Sequence, residues 1–207
     1  MALRWARAGH EVVIGSRRAE KAERVAGELT ARLDGAAVIT GLPNPAAAAA
    51  CEVAVLSVPH GSQEPILQAI KEQLVGKLLI SVVVPLKPPK VAHVWRPEAG
   101  SAAQEAQAFL GSAVHVVGAF QNVSADHLAD PDAEIDCDVL VCGNKRAQKA
   151  VVEQLVVDAG MRPVDAGPLV NASVVEGLTA LLIGINRRYQ VKGAGIRVTG
   201  LVADAQR

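Results

Sequence analysis

The run Glu11-Val-Val-Ile14 ends in Gly15-Ser16-Arg17-Arg18, and Lys21 follows one helical turn later. In a unit that binds a dinucleotide, the end of the second strand meets the adenosine ribose. A carboxylate there bonds the 2′-hydroxyl of NAD. A small hydroxyl with arginines suits the 2′-phosphate of NADP, because guanidinium donors engage phosphate bidentately. No carboxylate stands at Ser16, Arg17 or Arg18. The competing reading is a solvated basic helix start. The helix macrodipole disfavours it mildly, since cations there oppose the positive end.

Two further apolar runs end in proline, Val58-Pro59-His60 and Val84-Pro85. In open α/β sheets a ligand lies across the carboxyl ends of the strands. Proline fixes a turn there and leaves no N–H to satisfy, so a flat ring can approach the backbone. Ordinary strand termination is the alternative at each site. His60 could act as a general acid, although a lone loop histidine is weak evidence. A third segment, Gly118-Ala-Phe-Gln121-Asn122-Val-Ser-Ala125, offers small and amide-bearing side chains after a strand. These suit a planar heterocycle, and a plain polar loop is the alternative. The acidic run from Asp126 to Asp138 lacks the glycine and terminal glutamate of a calcium loop, so it reads as solvated. No Ser–His–Asp, metal-binding or paired-carboxylate pattern stands out. An enzyme without an evident acid, base or nucleophile can let two cofactors do the chemistry and merely orient them.

The elements that must hold these residues alternate. Short apolar strands are expected at 11–14, 38–40, 53–58, 78–84, 114–119, 139–142 and 162–165. Helices are expected at 2–8, 19–33, 45–51, 65–74, 101–110, 145–159 and 170–189. A loop with three prolines spans 86–100, directly after Pro85, and 120–135 reads as irregular. Near-continuous apolar strands are buried on both faces, and their alternation with helices implies parallel βαβ units. The expected fold is a doubly wound, Rossmann-like, mostly parallel sheet over residues 1–169. Residues 170–207 form a helical C-terminal piece that packs on the sheet or on another subunit.

Composition narrows the function classes. Half of the 207 residues are hydrophobic, which excludes a disordered chain. Lys+Arg and Asp+Glu number 21 each, so no global field draws the protein to nucleic acid or an anionic membrane. Aromatic residues make up 2%, too few for a base-stacking platform. No run reaches the ~18 uninterrupted apolar residues of a membrane span. Arg4 and Arg7 interrupt what would be a signal-peptide core. Three cysteines, an odd number, favour a reducing cytoplasm over a disulfide scaffold or a zinc site.

A dinucleotide fold opens with a strand and a Gly-rich turn, whereas this sequence starts inside the helix that follows. Gly193-Ala-Gly195 lacks the third glycine and follows a helix, so it is a decoy. Gly143-Asn-Lys145-Arg146 lacks P-loop spacing.

The sequence resembles the NADPH-dependent reductases of coenzyme F420, a 5-deazaflavin. The resemblance is carried by residues 9–18, Ala54–Pro59, Ala119–Ala125, Cys137–Gly143, Arg162–Leu169 and Val175–Thr179, in family order. It implies NADP and coenzyme F420 as cofactors, hydride transfer between nicotinamide C4 and deazaflavin C5, and a homodimer. By position, Ser16, Arg17, Arg18 and Lys21 are implied as 2′-phosphate contacts. Val58, Pro59, His60, Val84 and Ala125 are implied along the cofactor, with Pro85, Gln121 and Asn122 near the stacked rings. The departure is the missing first strand and its phosphate-binding turn, whose loss removes a main anchor and leaves two strand edges with an apolar slot. Two explanations stay open: roughly 15 further residues upstream, from the size of a βα unit, or a truncated remnant. An NADP reductase of a small imine or hydroxy acid, and a non-catalytic nucleotide-binding dimer, are the competing functions.

Overall fold

The computed structural model describes residues 1–201. The last six residues of the expected C-terminal piece, 202–207, lie outside the described residues.

Helix α1 (Ala2–Arg7) ends where Gly9 takes φ +92°, a conformation that costs glycine little. Strand β1 (Val12–Ser16) then pairs in parallel with β2 (Ile39–Pro43). The amphipathic helix α2 (Ala19–Thr30) joins them and lies directly on β2. A Cβ at Gly41 would stand 2.4 Å from the Ala22 carbonyl carbon, so the approach requires glycine. Helix α3 (Asn44–Ala50) carries proline in its first turn, as its sequence leads one to expect.

Strands β3 (Val53–Leu56), β4 (Leu78–Ser81), β5 (His115–Gly118), β6 (Asp138–Gly143) and β7 (Arg162–Asp165) form a five-stranded sheet in that order. All neighbours run parallel except β5 and β6. The result is mixed α/β with a mostly parallel, Rossmann-like sheet. Residues Leu56, Ser81 and Gly118 are in register, so β3, β4 and β5 end level. Because β6 is antiparallel to β5, with Cys142 opposite Gly118, the chain enters β6 at this same edge.

Strand β4 is buried on both faces, as its unbroken apolar run requires. Leu79 packs with α4 (Gln63–Ile70), α5 (Ala102–Leu110) and α8 (Ala172–Tyr189) through Leu67, Ala103, Ala106 and Val175. Ile80 points the other way, into Trp5, Val117, Val139 and the α7 (Arg146–Asp158) residues Val152 and Val156. By contrast, Val12 and Ile14 of β1 and Val53 and Val55 of β3 stay half-buried. The two strands belong to separate sheets, and no strand pairing joins them.

Two expectations need correction. The segment 120–135 is not wholly irregular: Ala125–Ala129 form the short helix α6. Paired strands also stop earlier than the apolar runs, at Leu56 and Ser81. Val82 still donates its N–H to the Leu56 carbonyl at 3.2 Å, whereas residues 83–84 have left the ladder although Val83 remains buried. Among the described residues one helix, Leu169–Tyr189, is apolar and long enough by composition to cross a membrane. Its Glu176 is buried against α5, so this apolarity serves packing on one face.

Candidate active site

Ser16 closes β1, and Arg18 is the extended residue that opens α2. The Arg18 backbone N–H donates to Ser16 Oγ at 3.4 Å. Ser16, Arg17, Arg18 and Lys21 line an open hollow of about 360 Å³. Arg17, Arg18 and Lys21 are exposed, and no carboxylate of the described residues pairs with them. An unpaired cationic set beside a small hydroxyl is the donor set that a phosphomonoester needs.

At the end of β3, Val58 is half-buried and Pro59 exposed. His60 Nε2 lies 2.6 Å from Glu105 Oε2, in the first turn of α5. The Trp95 ring meets the His60 ring edge-on at 5.6 Å. Val84 is half-buried and Pro85 buried where the chain leaves β4. His60 is therefore a fixed group with one nitrogen committed.

The segment after β5 is braced from three sides. The Gln121 amide donates to the Ser81 carbonyl at 2.8 Å, and the Asn122 amide donates to the Asp138 carbonyl at 2.6 Å. Thr179 Oγ1 of α8 donates to the Gln121 carbonyl at 2.7 Å. Phe120 sits at φ +71°, a strained conformation for a bulky residue that these bonds hold in place. Gln121 and Asn122 are both buried, and the bonds their amide N–H groups donate shape the loop. Ser81 Oγ and Gln121 Oε1 are buried without a partner among the described residues. Ala125 opens α6 and is exposed.

Sequence reasoning missed the side chains behind this edge. Glu176 of α8 accepts from the backbone N–H groups of Ala102 and Ala103, at 2.7 and 3.0 Å. It thus caps the N-terminus of α5 by accepting from two N–H groups that have no partner within the helix. Burial pushes its carboxyl up to about 7, with Glu105 adding to the effect and the two N–H groups opposing it. An isolated acid inside an apolar helix was the available signal. Asp138, at the start of β6, is buried and takes a bidentate Arg162 at 2.7 and 2.6 Å plus the Val198 N–H at 2.6 Å. Arg162 holds its carboxyl below the usual range, against the opposing effect of burial. The tail crosses here: a Cβ at Gly193 would stand 2.2 Å from the His127 ring, and one at Gly195 2.8 Å from Cys137 Sγ. Those glycines serve close packing, consistent with reading them as no phosphate loop.

Comparison with known proteins bears on this edge. Residues 1–85 match the family model described as NADP oxidoreductase, coenzyme F420-dependent. The F420-dependent NADP reductase of Methanocaldococcus jannaschii is 39% identical over 208 residues, covering 97% of this chain and 92% of that protein. The chain belongs to the F420-dependent NADP reductase family. The reductase of that name from Methanothermobacter thermautotrophicus is equally similar, 39% identical over 97% of the chain and 89% of its own length. Among solved structures, a putative F420-dependent NADP reductase from Arthrobacter sp. FB24 superposes with a TM-score of 0.79 at 24% identity, covering 96% of this chain and 93% of that one. A reductive aminase from Aspergillus terreus shares the fold at a TM-score of 0.59 and 16% identity, and the match covers only 57% of that chain.

Proposed function

We infer that this protein transfers a hydride between NADP(H) and coenzyme F420. The unpaired Ser16–Arg17–Arg18–Lys21 set carries the reading, in a family whose named members are F420-dependent NADP reductases. When bound, the two coenzymes supply the redox chemistry, with nicotinamide C4 and deazaflavin C5 as the carbons that exchange hydride. The chain's residues bind and orient. Arg17, Arg18 and Lys21 neutralise the 2′-phosphate, and Ser16 bonds it. Val58, Pro59, Val84 and Pro85 give an apolar floor at the level strand ends. The backbone of Phe120–Ser124, held rigid by Gln121, Asn122 and Thr179, borders the rings, with Ala125 beyond it. His60, tied to Glu105, borders the cofactor from β3.

Residues 1–169 act as the nucleotide-binding part and 170–207 as the segment that pairs two subunits. Val170, Val174, Leu181, Ile185 and Tyr189 are exposed large apolar residues along or beside α8. A second copy covering that stripe accounts for them, and the expected assembly is a cytoplasmic homodimer. An imine or hydroxy-acid reductase is the weaker reading. The reductive aminase chain extends well beyond the part this chain matches, and 170–207 is short for a substrate domain.

Purified protein mixed with NADPH and coenzyme F420 tests the assignment. Loss of the 420 nm absorbance is expected with NADPH and far less with NADH. Bleaching with neither nucleotide contradicts it.

A further inference from the structure

The four-proline loop between β4 and α5 leaves the level strand ends where the candidate site lies. It carries Lys87, Lys90, His93 and Arg96 against one carboxylate, Glu98. A chain of zero net charge thus concentrates cations on a single segment. Lys87, Lys90, His93 and Arg96 are all exposed. None of them pairs with a carboxylate among the described residues.

The loop is a fixed strap. Lys87 Nζ lies 3.8 Å from the centroid of the Trp95 ring, and that ring's other neighbour is His60. On the far side, a Cβ at Gly177 or Gly184 of α8 would touch Val94 at 3.4 Å or Ala92 at 3.7 Å. The glycines let the strap lie close along the helix, and Pro97 is buried beneath it. Its two anchored sides hold its cations between the His60 corner and α8. Cations without carboxylate partners, presented on a braced segment at a ligand edge, suit a long flexible polyanion.

Resting on the deazaflavin reading above, we propose that Lys87, Lys90 and Arg96 bind the anionic side chain of coenzyme F420. That side chain is a phosphodiester followed by glutamate carboxylates. The ring system itself meets the apolar strand ends, so the strap adds affinity and steering without touching the reacting carbons. The diphosphate of NADP is the other polyanion that could reach it, and the test separates the two.

The direct measurement is equilibrium binding, by the deazaflavin's own fluorescence. The probes are coenzyme F420 and its riboflavin-like precursor, which has the same ring and ribityl chain but no phosphate or glutamates. The wild type should bind the full coenzyme about tenfold more tightly at low ionic strength, and the gap should close in ~0.5 M salt. Lys90→Glu with Arg96→Glu should abolish the gap while leaving affinity for the precursor and for NADPH within about twofold. This pair keeps Lys87 on Trp95, so the strap retains its anchor. An unchanged gap in the variant overturns the proposal. Weakened NADPH binding with the gap intact also overturns it, and assigns the strap to the diphosphate. If neither deazaflavin binds the wild type, the functional reading falls together with it.

Discussion

At the scale of single residues, charge without a partner is the informative property. Arg17 and Arg18 stand out in the sequence as a basic pair at a strand end with no carboxylate, and the structure leaves them exposed with no carboxylate partner among the described residues. Converting both to glutamate should lower kcat/KM for NADPH about 100-fold, from two lost charge-assisted contacts, and should leave NADH nearly unaffected. Steady-state kinetics with the two nucleotides checks this. Gln121 and Asn122 stand out in the sequence as amide-bearing residues after a strand, but their bonding partners do not. Their amides bond backbone carbonyls 40 and 16 residues away, and no local pattern encodes such partners. Glu105 and Trp95 were invisible for the same reason: each matters only because the fold brings it to His60.

At the scale of elements, α5 is the hub. Its Ser101 cap accepts from the Gln104 N–H, the Gln63 amide of α4 donates to the Ala102 carbonyl, and Glu176 of α8 takes the two N–H groups beside it. A carboxyl raised from 4.5 to about 7 by burial is more protonated in the folded state than in the unfolded one. Its contribution to stability is therefore complete below about pH 4.5 and is lost as pH rises through about 7. The loss amounts to roughly 3 kcal/mol. In thermal melts, Glu176→Gln should flatten the decline between pH 5 and 8 that the native protein shows. Parallel pH curves for the two proteins would contradict the assignment. The elements themselves were largely readable. Unbroken apolar runs gave β3 and β4, and the 3.6-residue period gave α2 and α7. Hydrophobicity has no direction along a strand, so the antiparallel entry of β6 was not readable. Helix α6, at five residues, is too short to show a period.

At the scale of the whole molecule, two features follow from topology. The sheet is divided between β2–β1 and β3–β7, with half-buried valines and an isoleucine on β1 and β3. The other feature is the uncovered side of α8. A second copy over that stripe makes Leu181→Glu decisive: light scattering should report a dimer for the native protein and a monomer for the variant. A native monomer would remove α8 from that role.

Both scales below serve one event at the level strand ends, and isotopic labelling reads it directly. With NADPH deuterated at the transferred C4 position, the label should appear at C5 of the reduced deazaflavin, undiluted by protons from water. Reduced deazaflavin carrying solvent hydrogen at C5, or no reduction at all, would contradict direct transfer between the two coenzymes on this protein.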